Sequence, residues 1–224
     1  LNRWAPGREE MAGHLAWLTA AAQRAGVDLR LGVEATADSV RAEMPDAVIV
    51  AAGAEPGLPP VPGVLDSPVV DYREILRRPI SGVRRALVLG GGIRGVAVAR
   101  LLADKGAEVL LVEPGSELLV DIASRSRRFQ IEALQRHAKV NVHLGTTVEA
   151  LGASHAELWD NSRRWTVQGI DLVVPTQVML PQTAVLDALC ELPDAPPVYI
   201  VGDARLPRGV LEATQDAAAL AHRL

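Results

Sequence analysis

The sequence holds a single cysteine, Cys190. One thiol cannot build a disulfide framework or a C-x-x-C redox pair, and this chain alone cannot ligate an iron–sulfur cluster or a cysteine zinc site. Cys190 is accordingly expected in the core. Aromatic residues make up only 3% of the chain. The interior therefore has to be built from Ala, Val and Leu, the composition of parallel sheets covered by helical crossovers. Positive charge is not in excess: 23 Lys and Arg stand against 27 Asp and Glu, with the signs interspersed. That leaves no basic stripe for nucleic acid and no polybasic patch for a membrane surface. No apolar run approaches the roughly 20 residues of a membrane span, and no signal peptide opens the chain. A cytoplasmic protein is expected, with neither nucleic acid nor membrane as partner. The histidines His14, His137, His143, His155 and His222 have no ligand spacing and no cysteine cluster beside them, so no metal site is assigned. The chain starts on Leu1, in mid-pattern, and is expected to be a piece of a longer protein.

Against these absences stands one dense signal, Ala86–Glu113, which reads ALVLGGGIRGVAVARLLADKGAEVLLVE. A buried strand over Ala86–Leu89 runs into a turn marked by Gly90, Gly92 and Gly95. A helix continues to about Lys105, and a second apolar strand ends on Glu113. Gly90 permits a tight turn, Gly92 removes the side chain that would block a pyrophosphate, and Gly95 lets the helix pack closely on the sheet. The N–H groups around Ile93 and Arg94 open a helix whose positive dipole end faces the phosphates. Glu113 stands where a carboxylate accepts hydrogen bonds from an adenosine ribose. It favours NAD over NADP, because a 2′-phosphate would meet a like charge. This reading needs a turn open to a cleft, with no side chain plugging it. The other reading of the same residues is a glycine-rich turn in an ordinary α/β unit that binds nothing.

Apolar spacing at Met11, Leu15, Leu18 and Ala22 predicts a helix over Arg8–Ala25, after an irregular Leu1–Gly7 and with Gly26 as its stop. A strand over Val27–Leu31, a helix over Ala37–Glu43 and a strand over Asp46–Ala51, ending in Ala52–Gly53, follow. Ala54–Gly63 (AEPGLPPVPG) is read as a linker, neither helix nor strand. Past Glu113, a helix is expected over Asp121–His137 with Ile122, Phe129, Ile131 and Leu134 as anchors, then a strand over Val140–Leu144. Thr147–Ala150, Ala156–Trp159 and Arg164–Val167 read as an antiparallel meander, and Asp171–Val174 as a buried strand. The chain beyond Pro181 is expected to be irregular until a strand at Val198–Val201, the Gly202–Asp203 turn, and a helix over Gly209–Arg223, amphipathic through Leu211, Ala217 and Leu220. Arg127–Arg128 and Arg163–Arg164 are read as solvated faces. Asp203 by itself is equally a helix-capping or turn acid and a ligand, and Ala52–Gly53 is a common strand ending.

The order of these signposts resembles the flavoproteins with two dinucleotide-binding domains. More closely, the chain resembles the C-terminal region of the 2,4-dienoyl-CoA reductase and trimethylamine dehydrogenase family, relatives of old yellow enzyme. Ala5–Met11 (APGREEM), Pro59–Gly63 (PPVPG) with Tyr72–Leu76, and Val198–Ala213 (VYIVGDARLPRGVLEA) carry the likeness. The resemblance implies an α/β fold in which a Rossmann-like NAD(P)-binding domain with a β-meander crossover, residues 63–182, is inserted in a partial FAD-binding Rossmann-like domain, residues 1–62 and 183–224. It implies NAD(H) at Gly90, Gly92, Ile93, Arg94, Gly95 and Glu113, and FAD at Ala52, Gly53, Gly202 and Asp203. FMN and a 4Fe–4S cluster belong, on this resemblance, to an N-terminal barrel of the parent chain, which becomes a partner of this region.

Two positions depart from the family pattern. Ala97 replaces a Glu near the nicotinamide, and Pro175–Thr176–Gln177 replaces a second A-T-G-like strand end. The leading expectation is the nucleotide-binding portion of a flavin-dependent NADH oxidoreductase, with hydride passing from NADH to FAD and no catalytic residue named. This fragment alone is expected to be inactive and to hold little or no FAD. The alternatives are an amine-dehydrogenase-like relative that binds adenine nucleotide or FAD without NADH turnover, and a degenerate packing module that binds no nucleotide.

Overall fold

The computed structural model describes residues 10–78 and 80–224. The expected irregular Leu1–Gly7, the start of the first helix and most of the Ala5–Met11 motif lie outside the described residues. The chain divides into two compact units, Leu1–Ala20 with Pro56–Val178, and Ala21–Glu55 with Met179–Leu224. Along the chain, α1 (Met11–Arg24) and α2 (Ala37–Ala42) precede the short strands β1 (Val48–Val50) and β2 (Ala54–Pro56). Then come α3 (Tyr72–Arg77), β3 (Arg85–Leu89), α4 (Ile93–Asp104), β4 (Glu108–Glu113), α5 (Ser124–Gln135) and β5 (Val140–Leu144). The strands β6 (Thr146–Leu151), β7 (His155–Asp160), β8 (Arg163–Gln168) and β9 (Leu172–Pro175) follow. The chain closes with β10 (Met179–Pro181), α6 (Ala184–Cys190), β11 (Val198–Ile200) and α7 (Val210–Ala221).

In the larger unit four parallel strands form one sheet in the order β5-β4-β3-β9. Ala86–Leu89 and Leu172–Val174 are buried throughout, as continuous apolar runs must be when a parallel sheet is covered on both faces. Helix α4 turns Gly95, Val96, Ala97, Val98, Ala99 and Leu102 inward. Small residues on that face let it lie close to the sheet. Strands β6-β7-β8 form the expected antiparallel meander, with a bulge between Val148 and Ala150. Their Leu151, Ala156 and Leu158 pack with Leu87, Leu89, Val112 and Val173 in a single cluster. Burying each of those leucines stabilises the unit by about 2 kcal/mol.

In the smaller unit β1 and β11 pair in parallel, from Val48 opposite Val198 to Val50 opposite Ile200. Helix α7 has no fully buried residue. Its inward side runs through Ala213, Asp216 and Leu220, whereas Leu211 and Ala217 of the expected apolar stripe face solvent. The polar Asp216 turns inward because three donors meet it. The Gly202 N–H and the guanidinium of Arg208 donate to its carboxylate, and Arg205 lies within ion-pair reach.

Several expectations fail for identifiable reasons. Val27–Leu31 alternates like a strand but finds no partner strand among the described residues, and Leu31 is 85% exposed at a turn. Arg30 within it binds Asp28 and Glu43 instead. The opening is therefore helix, helix, strand. The presumed linker contains β2, which pairs with β10, a strand also missed. Both end on proline, whose missing N–H a two-stranded edge tolerates. Helix α6 takes seven of the nine proline-free residues between Thr183 and Pro193, burying Leu189. Cys190, one residue further round that helix, is exposed rather than core. Helix α5 starts three residues later than Asp121 because that segment is held elsewhere, and Phe129, 64% exposed, is not an anchor. Arg127 is not a solvated residue: it binds Glu117 and donates to the carbonyl of Leu119.

Candidate functional site

The glycine turn sits at the carboxyl edge of the parallel sheet, where β3 hands over to α4. Gly90 has φ +107°, and its N–H donates to the carbonyl of Val112 at 2.8 Å. A β-carbon there would stand 2.5 Å from Gln177 Cγ and 2.8 Å from Thr176 Oγ1. The backbone of Gly92 is ordinary, with φ −71° and ψ −176°. What matters at that position is the missing side chain: a β-carbon would point at Asp121 Oδ2, 2.8 Å away. A β-carbon on Gly95 would overlap the carbonyl oxygen of Gly90, so the close approach is made to the turn itself. Gly91, which the sequence reading passed over, is equally constrained, between Leu118 and Glu113.

Glu113 ends β4 and reaches back to this turn. Its two carboxylate oxygens accept the N–H of Gly91 at 2.6 Å and the N–H of Gly115 at 2.7 Å. An ionised carboxylate has about four acceptor positions, so two hydroxyl groups can still be received. Arg94 lies near the hydroxyl of buried Tyr72 on α3. Burial pushes the Tyr72 pKa up, and the Arg94 guanidinium works in the opposite sense. Thr176, at the end of β9, donates its hydroxyl to the carbonyl of Leu89 at 2.8 Å and its N–H to the same oxygen at 2.9 Å. It fastens the last strand to the start of the turn.

The turn is not open, as the sequence reading requires. The N–H of Ile93, the first of α4, donates to both oxygens of Asp121, at 3.1 and 3.0 Å. Asp121 lies on the connection from β4 to α5, and no local pattern announces it. Only the fold brings it to Ile93, 28 residues earlier, at the end of the glycine turn. Its side chain is exposed, so the plug is one carboxylate at the surface rather than packed core. A separate cleft of about 690 Å³ lies between α5 and β5, lined by Leu118, Ile131, Leu134, Val142 and Leu144 among others. None of Gly90–Gly95 or Glu113 lines it.

In the smaller unit, the pairing of β1 with β11 and a bond from the Val201 N–H to the Val50 carbonyl set the two strand ends level. Ala52–Gly53 and Gly202–Asp203 thus leave the sheet at one carboxyl edge. Gly53 and Gly202 have φ +77° and +63°, so each needs glycine. The Gly53 carbonyl accepts the N–H of Gln182, and Asp203 Oδ1 accepts the N–H of Arg208 at 2.9 Å. Asp203 is therefore at least a turn-closing acid. Among the described residues, no group of three or more His, Cys, Asp and Glu could hold a metal ion, and no helix is long and apolar enough to cross a membrane.

Comparison with known proteins bears on this geometry. Residues 33–174, well over half of the chain, match the family described as pyridine nucleotide-disulphide oxidoreductase. Bilirubin reductase of Mediterraneibacter gnavus is 36% identical over 152 residues, 68% of this chain and 24% of that protein. NADH oxidase of Thermoanaerobacter brockii is 33% identical over 145 residues, 63% of this chain and 22% of that one. The chain thus spans about a quarter of the length of these relatives. Among solved structures, 2-naphthoyl-CoA reductase superposes with a TM-score of 0.88 at 24% identity, covering 100% of this chain and 34% of its own. Histamine dehydrogenase from Rhizobium sp. 4-9 gives 0.87 at 21% identity, covering 100% and 37%. These two likenesses establish a shared fold along the whole chain. With a glycine turn between parallel strands, an acid closing the second strand and a family match across both, the chain belongs to the pyridine nucleotide-disulphide oxidoreductases.

Proposed function

We propose that this chain is the nucleotide-binding portion of a flavin-dependent NADH oxidoreductase, with NADH bound at the glycine turn of the larger unit. The observation that carries the reading is the tie between Glu113 and Gly91. It couples the acid at the end of β4 to the turn at the end of β3, so one ligand lying across the sheet edge meets both. With the Asp121 carboxylate moved aside, the missing side chain at Gly92 leaves room beside the first turn of α4, and the Ile93 N–H becomes the donor there for a phosphate oxygen. Glu113 accepts the ribose hydroxyls and repels a 2′-phosphate, which selects NADH over NADPH. Ala52, Gly53, Gly202 and Asp203 are the positions proposed to face FAD, in a lobe made of residues 1–62 and 183–224 around an NAD lobe of residues 63–182. Bound together, the two cofactors supply hydride transfer, and the residues here orient them and set the charge around them. FMN, a 4Fe–4S cluster and the barrel holding them are assigned to the parent chain, since a single exposed cysteine provides no cluster ligation here.

A second reading keeps nucleotide binding and drops NADH turnover, as in an amine-dehydrogenase-like relative. Gln177 favours it: its side chain lies against Gly90 on the β9 flank, opposite the β4 flank where Glu113 stands. Anaerobic titration of the parent flavoprotein with NADH decides between the two. Bleaching of the flavin absorbance supports the first reading, and tight binding without bleaching supports the second. Absence of binding heat with NADH, NAD or ADP refutes both and leaves a packing module.

A further inference from the structure

The Asp121 carboxylate occupies the place the proposed ligand needs. It accepts the first N–H of α4 with both oxygens, and it fills the space beside Gly92 that the missing side chain leaves. A diphosphate seated there would meet a like charge at hydrogen-bond distance, with the same donor already in use.

Just before Asp121 the segment is anchored at Leu119. Leu119 is fully buried with φ +58°, its N–H donates to the Gly91 carbonyl at 2.8 Å, and its own carbonyl accepts from Arg127. Two residues on, Asp121 is exposed and sits outside any helix or strand. Rotation about its side-chain bonds frees Ile93 while the Leu119 anchor stays in place.

We infer that Asp121 is a built-in competitor for the diphosphate of the nucleotide, a side-chain gate that must swing off the Ile93 amide before the ligand seats. The inference rests on the proposed nucleotide site and adds its regulation. It makes the free protein a weak binder by design of its own loop, and makes affinity depend on the charge at position 121 more than on any new contact.

Calorimetry on the protein with ADP and with adenosine tests it, comparing wild type, Asp121→Asn and Asp121→Ala. Removing the charge should tighten ADP by about tenfold or more in both variants, a gain of about 1.4 kcal/mol per decade. Adenosine, which has no phosphate, should bind all three alike. ADP binding to the variants but undetectable in wild type also supports the gate. If wild type binds ADP and neither variant binds it more tightly, the gate is refuted and the nucleotide site stands. Equal tightening of adenosine refutes the gate as well, because the effect then lies away from the phosphates. If no form binds ADP, the site and its gate fall together.

Discussion

Gly95 lies so close to the carbonyl oxygen of Gly90 that a β-carbon on it would overlap that atom. Turn and helix are thus in backbone contact, and there is no flexible side-chain end to give way. Gly95→Ala should destabilise the larger unit by about 1–3 kcal/mol, the range for forcing an extra carbon into a packed site. Chemical denaturation of the variant against wild type measures it, and an unchanged midpoint would contradict the close packing.

Gly92→Val should behave differently. The backbone at Gly92 is one any residue adopts, and the neighbour of its missing side chain is the exposed Asp121 carboxylate. The variant should fold with a melting temperature near that of wild type and lose nucleotide binding, because the side chain takes the pyrophosphate's space. Retained affinity in calorimetry would remove the turn from the site.

Glu113→Ala removes two things at once. It should weaken NADH and narrow its advantage over NADPH, since both the ribose acceptor and the repelling charge go. It should also cost about 1–3 kcal/mol of stability, because the Gly91 and Gly115 amides lose their acceptor. Paired titrations with the two cofactors and a melting curve separate the effects. Unaltered cofactor preference would exclude Glu113 from contact with the ribose.

Asp171 supplies a pH dependence. Its carboxylate accepts the backbone N–H groups of Arg85 and Arg84 and lies beside the Arg84 side chain, which together hold its pKa below the usual carboxylate value. A folded-state pKa below the unfolded one means stability that is present above about pH 4 and is lost as pH falls through the folded value. Asp171→Asn should therefore lower the melting temperature at pH 7 and lose less than wild type on acidification to pH 3. Parallel acid limbs for the two proteins would refute the linkage.

The β3–turn–α4–β4 unit was legible because every local signal there agrees. Apolar runs, glycines needed for turn and contact, and a terminal acid all point one way, and the meander and β9 follow from alternation and continuous burial. Val27–Leu31 shows the limit: its alternation is real, but a strand exists only if another strand meets it. Strands β2 and β10 are the converse, three residues each, made by pairing across the chain rather than by their own pattern. At the turn, the places of Gly90, Gly95 and Glu113 could be read from spacing. Asp121 and Thr176 could not, because each reaches the turn through the fold: Asp121 from a connection with no pattern of its own, Thr176 from a strand 87 residues beyond Leu89.

That last contact has a bearing on how the unit is made. Ala86 pairs with Leu172 in the finished sheet, so β9 can close on β3 only after the intervening chain, meander included, has been emitted and collected. Contacts of such sequence separation carry the largest loop-closure cost and form late. A nascent chain still lacking β9 would own all its fingerprint glycines yet have no peg to hold them, and competence for ligand would arrive in one step with the final strand. Pulse-labelled amide exchange would register this as protection of the Thr176 amide trailing that of Leu110 in β4, and early protection of Thr176 would reverse the sequence of events.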